Sequence, residues 1–229
     1  MIQDNYHTIR EKISQCAIDC NRDPNTIQLV AVSKKKACAL IQQVFDCGQR
    51  VFGENYLQEA AQKIPELSSS AKWHFIGHLQ SNKAKQAVSL FDVIETVDSL
   101  KLAKLIDKHA QALGKSTAIL LQINIGLEPQ KAGVLPEEAE SLLRQITSET
   151  KLRVLGLMVI PPFSDTPEVT RPFFKETRKL AEDFARKKLF TDNQNVVLSM
   201  GMSADYQIAI EEGATHIRIG TALFGARDY

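Results

Sequence analysis

Three lysines, Lys34, Lys35 and Lys36, follow directly on the strand-like run Leu-Val-Ala-Val-Ser at 29–33. Three solvated ammonium groups closing a strand would be an ordinary surface feature. One amine placed at a strand end for covalent chemistry would look the same. A free lysine titrates near about 10.4 and is protonated at neutral pH. Desolvation and neighbouring cations lower that value and free the amine to attack an aldehyde. Lys34 is the first residue past the run, Lys35 points away from it on a strand-like backbone, and Lys36 lies further into the loop. Two later stretches suit a phosphate. "SMGMSADY" (199–206) is a small, glycine-containing turn entering a helix, with Ser203 placed to cap it. "IGTALFG" (219–225) offers the Gly220 amide and the Thr221 hydroxyl. An amine and an anion cradle together fit a Schiff base to a phosphorylated aldehyde. A sugar phosphate bound as in a class I aldolase and pyridoxal 5′-phosphate (PLP) both answer that description.

These residues need a frame. Strand-like runs at 29–33, 50–53, 74–78, 93–97, 119–125, 154–159, 196–199 and 216–220 alternate with helical ones. The helical stretches at 37–48, 99–114 and 204–213 each stop at a glycine, and 171–190 places Phe173, Thr177, Leu180 and Phe184 on one face. A helix at about 5–20 precedes the first strand. Strand–helix alternation predicts parallel pairing with right-handed crossovers, and eight units close most economically as an α/β (β/α)₈ TIM barrel. The competing open, doubly wound sheet lacks its glycine fingerprint after the first strand. No linker divides the chain, so 1–229 reads as a single domain, with "PPFSDTPE" (161–168) as its main loop. Barrels carry function at the C-terminal ends of their strands. Those ends hold Lys34, Glu54, Asn55, His78, Asp98, Asn124, Met158, the 199–203 turn, Gly220 and Thr221. Arg218 shares a strand face with His216 and Gly220. A buried arginine needs an acceptor, for which a pyridine nitrogen and the Glu54 carboxylate are both candidates.

Composition narrows the partners. There are 28 basic and 27 acidic residues, for a net charge of +1, which argues against nucleic acid and anionic membranes. No apolar run approaches the roughly 18 residues of a membrane span. The polar, mixed-charge start "MIQDNYHTIREKI" is not a secretory leader, so a cytoplasmic protein is expected. The cysteines at 16, 20, 38 and 47 form no C-x-x-C pair, and no metal site is expected.

The segments "AVSK" (31–34), "FGENY" (52–56), "WHFIGHLQSNK" (73–83), "GLM" (156–158), "LSMGMSADY" (198–206) and "HIRIGTALFG" (216–225) together resemble the pyridoxal-phosphate homeostasis protein family. That family is similar to the barrel domain of alanine racemase, a fold-type III PLP protein, without its C-terminal β domain. The resemblance implies PLP as cofactor, carried by Lys34 as a Schiff base. Ser199, Gly201, Met202, Ser203, Gly220 and Thr221 would surround the phosphate, Arg218 would face the ring nitrogen, and Asn55 would lie near the ring. It implies a role in vitamin B6 and amino-acid homeostasis, with PLP-accepting apoenzymes as partners and a monomer or weak dimer as the assembly.

An arginine opposite the ring nitrogen keeps that nitrogen largely unprotonated and weakens the ring as an electron sink. Racemisation also needs an acid–base group on each face. None of Tyr6, Tyr56, Tyr206 and Tyr229 is an obvious partner for Lys34, although Tyr56 is near the rim by sequence. The expectation is a protein that holds PLP without turnover, with no catalytic residue assigned. A PLP-dependent racemase or lyase is the alternative.

Overall fold

Eight short strands pair edge to edge in chain order, and the last closes on the first. They are β1 (Gln28–Val32), β2 (Val51–Glu54), β3 (Lys72–Phe75), β4 (Val93–Val97), β5 (Ala118–Ile123), β6 (Arg153–Val159), β7 (Val197–Ser199) and β8 (His216–Ile219). Every pairing is parallel. This computed structural model describes residues 1–225, and it has the (β/α)₈ barrel that the alternation predicts.

The outer layer is formed by α1 (Ile2–Asp19), α2 (Cys38–Asp46), α3 (Leu57–Lys63), α4 (Ala84–Leu90), α5 (Leu100–Ala112), α6 (Pro136–Glu149), α7 (Arg171–Arg186), α8 (Tyr206–Glu211) and α9 (Thr221–Phe224). Each longer helix buries one stripe. In α5 the stripe is Leu102, Ala103, Ile106 and Ala110, started by Ser99, whose hydroxyl accepts the Leu102 N–H. Full burial of a side chain such as Ile106 contributes roughly 2 kcal/mol. The first helix begins at Ile2, earlier than expected. It docks Tyr6, Ile9, Ile13, Cys16 and Ala17 against the barrel. Asn5 donates to the Leu223 carbonyl at 3.2 Å, and Arg22 donates to Ile210 at 2.7 Å. The chain's start is thereby fastened to its last two helices.

Two further expectations shift. Helix α7 buries Phe174, Thr177, Ala181 and Phe184, while Phe173 and Leu180 pack only partly. The apolar arc is wider than four residues, and packing selects its centre. The third strand stops at Phe75, before residue 78. There the backbone of Gly77 crosses that of Asn55 so closely that a Cβ on Gly77 would lie 2.1 Å from the Asn55 carbonyl oxygen.

Register fixes which residues face inward. Val30 pairs with Arg218, Val32 with Gly53, and Gly53 with His74. Leu29 and Ala31 instead join the layer between strands and helices. Paired positions in a parallel sheet share a face, so even-numbered residues of β1 face the interior.

The β6–β7 seam has a strict steric requirement. A Cβ at Gly156 would sit 1.9 Å from the Val197 carbonyl oxygen, which is backbone and has no rotamer to give. Gly156→Ala is expected to cost roughly 3 kcal/mol or more. Gly114→Ala, at φ +62° with nothing within 4 Å, should cost only about 1 kcal/mol for the left-handed backbone. Chemical denaturation of the two variants side by side checks the difference; equal losses would refute the steric argument.

Candidate cofactor site

The turn after β1 separates the three lysines. Lys36 N–H bonds back to the Ser33 carbonyl at 3.1 Å, and Lys35 takes φ +58°. A non-glycine residue in that region is sparsely populated and is held there by its surroundings. The Ser33 hydroxyl points to the outer layer, donating to Glu54 Oε1 at 2.7 Å. Lys34 is then the next member of the inward series Val30, Val32, and it is half-buried. Lys35 is exposed. Lys36 Nζ donates to the Phe224 and Gly225 carbonyls at 3.2 and 3.3 Å, closing the end of α9.

Barrel closure brings β8 beside this turn. A Cβ on Gly220 would lie 3.3 Å from Val32, so Gly220 and Val32 stand level across the seam. Thr221, exposed, opens α9 directly above. The β7 loop meets it through Ser203, whose Oγ accepts the Ala222 N–H at 3.4 Å. Gly201 turns this loop at φ +90°, where a Cβ would meet that of Ala209 at 2.5 Å. Ser203 does not cap the following helix. That helix starts at Tyr206, because the Asp205 carboxylate takes the Met202 N–H at 2.7 Å and forms a tighter turn first. Met202 is exposed on the rim. Among the described residues, the N–H groups of Ser203 and Ala204 meet no protein acceptor.

Ser199 and Arg218 lie deeper. Arg218, 3% exposed, donates to Ser199 Oγ at 2.7 Å and to the Val159 carbonyl at 2.8 Å. Ser199 Oγ donates to Glu95 Oε2 at 2.5 Å, and His74 Nδ1 donates to Glu95 Oε1 at 2.6 Å. A polar chain thus crosses the interior from β8 and β7 to β4 and β3. Glu54 is not the acceptor for Arg218: it faces the helix layer, where it meets Ser33 and Lys63. The carboxylate that balances the guanidinium is Glu95. Sequence reading passed over it, although one carboxylate inside the apolar strand "VIETV" was the available signal. Ser199 is fully buried and tied to both charges, below the level of the 201–203 loop.

Across the mouth a hollow of about 300 Å³ is lined by Asn55, Gly77, His78, Thr96, Gln122 and Lys131, among others. Asn55 Oδ1 is buried there without a hydrogen-bond partner. Met158 is fully buried beneath the mouth, and His78 is exposed. Asn124 organises its own loop, donating to the Glu128 carbonyl at 2.9 Å. Tyr6 and Tyr206 are buried in the outer layer, Tyr56 is 51% exposed on the rim, and Tyr229 lies outside the described residues.

Electrostatics follow the geometry. Burial alone would raise the Glu95 carboxyl, but the His74 hydrogen bond and the charges of His74 and Arg218 outweigh it and hold it at about 2. His216 stacks on His74 with ring centroids 5.9 Å apart. Desolvation and the neighbouring His74 push His216 down to about 4. Burial also lowers the Arg218 guanidinium, opposed by the nearby Glu95 and Asp205 charges.

A parallel (β/α)₈ barrel with a half-buried lysine just past its first strand and small polar loops after its seventh and eighth defines a class. The family model for the alanine racemase N-terminal domain matches residues 2–228. The chain belongs to the pyridoxal phosphate homeostasis protein family. It is 40% identical over 233 residues to the pyridoxal phosphate homeostasis protein of Haemophilus influenzae, covering 100% of this chain and 97% of that one. The Escherichia coli K12 protein of the same name is 40% identical over 232 residues, with the same coverage. Among solved structures, PipY of Synechococcus elongatus PCC7942 with PLP bound superposes with a TM-score of 0.84 at 38% identity, covering 98% of this chain and 100% of that one.

The ionisable groups of the barrel interior give a testable acid response. His216 has a folded value near 4 against an ordinary 6.5, so the unfolded chain binds the extra proton first. Stability should fall as pH drops through that window, by on the order of 1–3 kcal/mol. Glu95, near 2 against an ordinary 4.5, contributes stability that is present above 4.5 and lost below it as its carboxylate is protonated. Urea denaturation from about pH 7 to about pH 3 should show both limbs, and His216→Gln should flatten the upper one. An unchanged upper limb in that variant would exclude His216 as its source.

Proposed function

We propose that this chain binds PLP at the C-terminal mouth of its barrel, holds it on Lys34 as a Schiff base, and serves vitamin B6 and amino-acid homeostasis by keeping and passing on the cofactor. The observation that carries this reading is the β1–β8 seam. It sets Val32 level with Gly220, and the half-buried Lys34 follows two residues further on, where strand alternation carries it to the side of Val32 and the Gly220–Thr221 turn.

The residues fit the group. The Ser203 and Ala204 amides, the Ser203 and Thr221 hydroxyls and the narrow turn at Gly201 suit a phosphate. Asn55 Oδ1, buried and unpartnered, offers a polar contact beside the mouth. Arg218 would stand under the ring, with its direction fixed by Ser199 and the Val159 carbonyl. PLP supplies an aldehyde. The Lys34 amine adds to that carbon with loss of one water, and the phosphate loops keep the carbon within reach. Arginine keeps its proton, so Arg218 holds no proton ready for the ring nitrogen.

A carrier role is supported by the surroundings of Lys34. Tyr6 and Tyr206 are committed to the outer layer, so neither faces Lys34 as a second acid–base group. Tyr56, Leu127, Phe163 and Met202 are exposed on the loops around the mouth, which suits exchange of the cofactor with an acceptor protein. Under this reading the partners are PLP and PLP-accepting apoenzymes.

Purified protein mixed with PLP should turn yellow, and borohydride should bleach the band and fix the cofactor to Lys34. Lys34→Ala should lose the band while keeping its fold by circular dichroism. A band that survives in Lys34→Ala, or fixation at another lysine, would overturn the assignment.

A further inference from the structure

Behind the Lys34 turn, outside the barrel wall, sits a buried cluster of charge. Lys63, the last residue of α3, has a side chain only 9% exposed. Its Nζ donates to the Ser33 carbonyl at 2.8 Å and to Glu54 Oε1 at 3.0 Å, and it pairs with Glu59 Oε1. Glu59 Oε1 also accepts the Lys35 backbone N–H. Glu54, fully buried, accepts the Ser33 hydroxyl, and its second oxygen has no partner. Burial pushes the Glu54 carboxyl up, against the lowering effect of the Lys63 charge.

This arrangement is a poor choice for stability alone. Buried ion pairs gain little over well-packed apolar residues of similar size. Here one ammonium faces two carboxylates, and one carboxylate oxygen is left unsatisfied. What the cluster does accomplish is specific. The Ser33 carbonyl, the Ser33 hydroxyl and the Lys35 N–H are all engaged from the helix side, across a turn whose third residue has positive φ. Fixing Ser33 and Lys35 outward leaves Lys34, between them, directed inward.

We infer that Lys63, acting with Glu54 and Glu59, is a positioning residue for Lys34: it holds the strained 33–36 turn in the one conformation that presents the Lys34 amine to the barrel mouth. The inference rests on the reading of Lys34 as the PLP-bearing lysine. It adds a site that touches neither cofactor nor mouth and yet sets how tightly PLP is retained. Outer-shell partners of metal ligands change affinity by about 10–100-fold when broken, and an effect of that order is expected here.

The test compares full-length PLP-loaded wild type with Lys63→Met, Glu59→Gln and Lys63→Arg. Three readings are taken: the rate of PLP loss to an excess of an apoenzyme acceptor, the visible band, and amide hydrogen exchange across 33–36 without PLP. In Lys63→Met and Glu59→Gln, PLP loss should accelerate about tenfold or more, with a shifted or broadened band and faster exchange confined to 33–36. Lys63→Arg, which keeps the charge and the donors, should recover most of the retention. If Lys63→Met fails to fold, Glu59→Gln decides, because it leaves the buried ammonium paired with Glu54. Unchanged PLP loss and unchanged exchange in Glu59→Gln and any folded Lys63→Met would overturn the inference. A wild-type protein that forms no borohydride-fixable adduct at Lys34 would instead overturn the reading beneath it.

Discussion

A guanidinium buried in the throat of a barrel has to be answered by a carboxylate, and that constraint organises the interior. Arg218 does not touch Glu95 directly. Ser199 stands between them, accepting from one and donating to the other, and His74 completes the carboxylate's far side. Four strands, β3, β4, β7 and β8, are tied together through side chains that leave little freedom of height along the barrel axis. The Arg218 backbone adds a further tie, donating to the Gly201 carbonyl at 3.0 Å. The two loops that follow β7 and β8 therefore start from fixed points, which any anion cradle built from them requires.

The second organising fact is the two-residue alternation of a strand. A slip of one residue in β1 would send Ser33 inward and Lys34 into the helix layer. Register with β8 and with β2 prevents it. Val30 stands beside Arg218, and Val32 is wedged between Gly53 on one side and Gly220 on the other. Gly53 leaves room where a Cβ would meet Val30 and Ile76 at 3.0 Å. Valine next to glycine across both seams is a local fit that is lost if the strand shifts.

Much of this was legible in the sequence, and the reasons are physical. Strand–helix alternation is a periodic signal, so the barrel and its strand order could be read from it, as could the helix stops at Gly48, Gly114 and Gly213. The rim could be read because strand ends are defined by where apolar runs stop. Long-range side-chain pairing left no such trace. Arg218 announced a buried charge, yet its counter-charge could have come from any strand; the nearby Glu54 was an equal candidate to the ring nitrogen, and Glu95 carried no mark beyond its apolar setting. The Ser203 cap failed for a local reason, because Asp205 competes for the same loop amides and delays the helix by two residues. Lys63 was invisible because a lysine ending a helix is ordinarily solvated. Only the fold shows that it ends beneath Ser33.

The three lysines show how closure creates the proposed site. They are chemically identical and adjacent, and the fold gives them three settings: half-buried on the inward series, exposed at positive φ, and bound to the carbonyls that end α9. Two of those settings depend on residues nearly the whole chain away. Val32, two residues before Lys34, meets Gly220 only when β8 docks on β1, and Lys36 meets α9 at the same seam. A chain with seven strands paired would carry the amine without the cradle. Helix α1 reinforces the seam from outside, through Asn5 on the Leu223 carbonyl. The proposed site thus forms at the longest-range strand pairing in the barrel, the pairing with the largest loop-closure cost. Barrel closure and assembly of the proposed site are one event, so whatever loosens the β1–β8 seam disturbs that site directly.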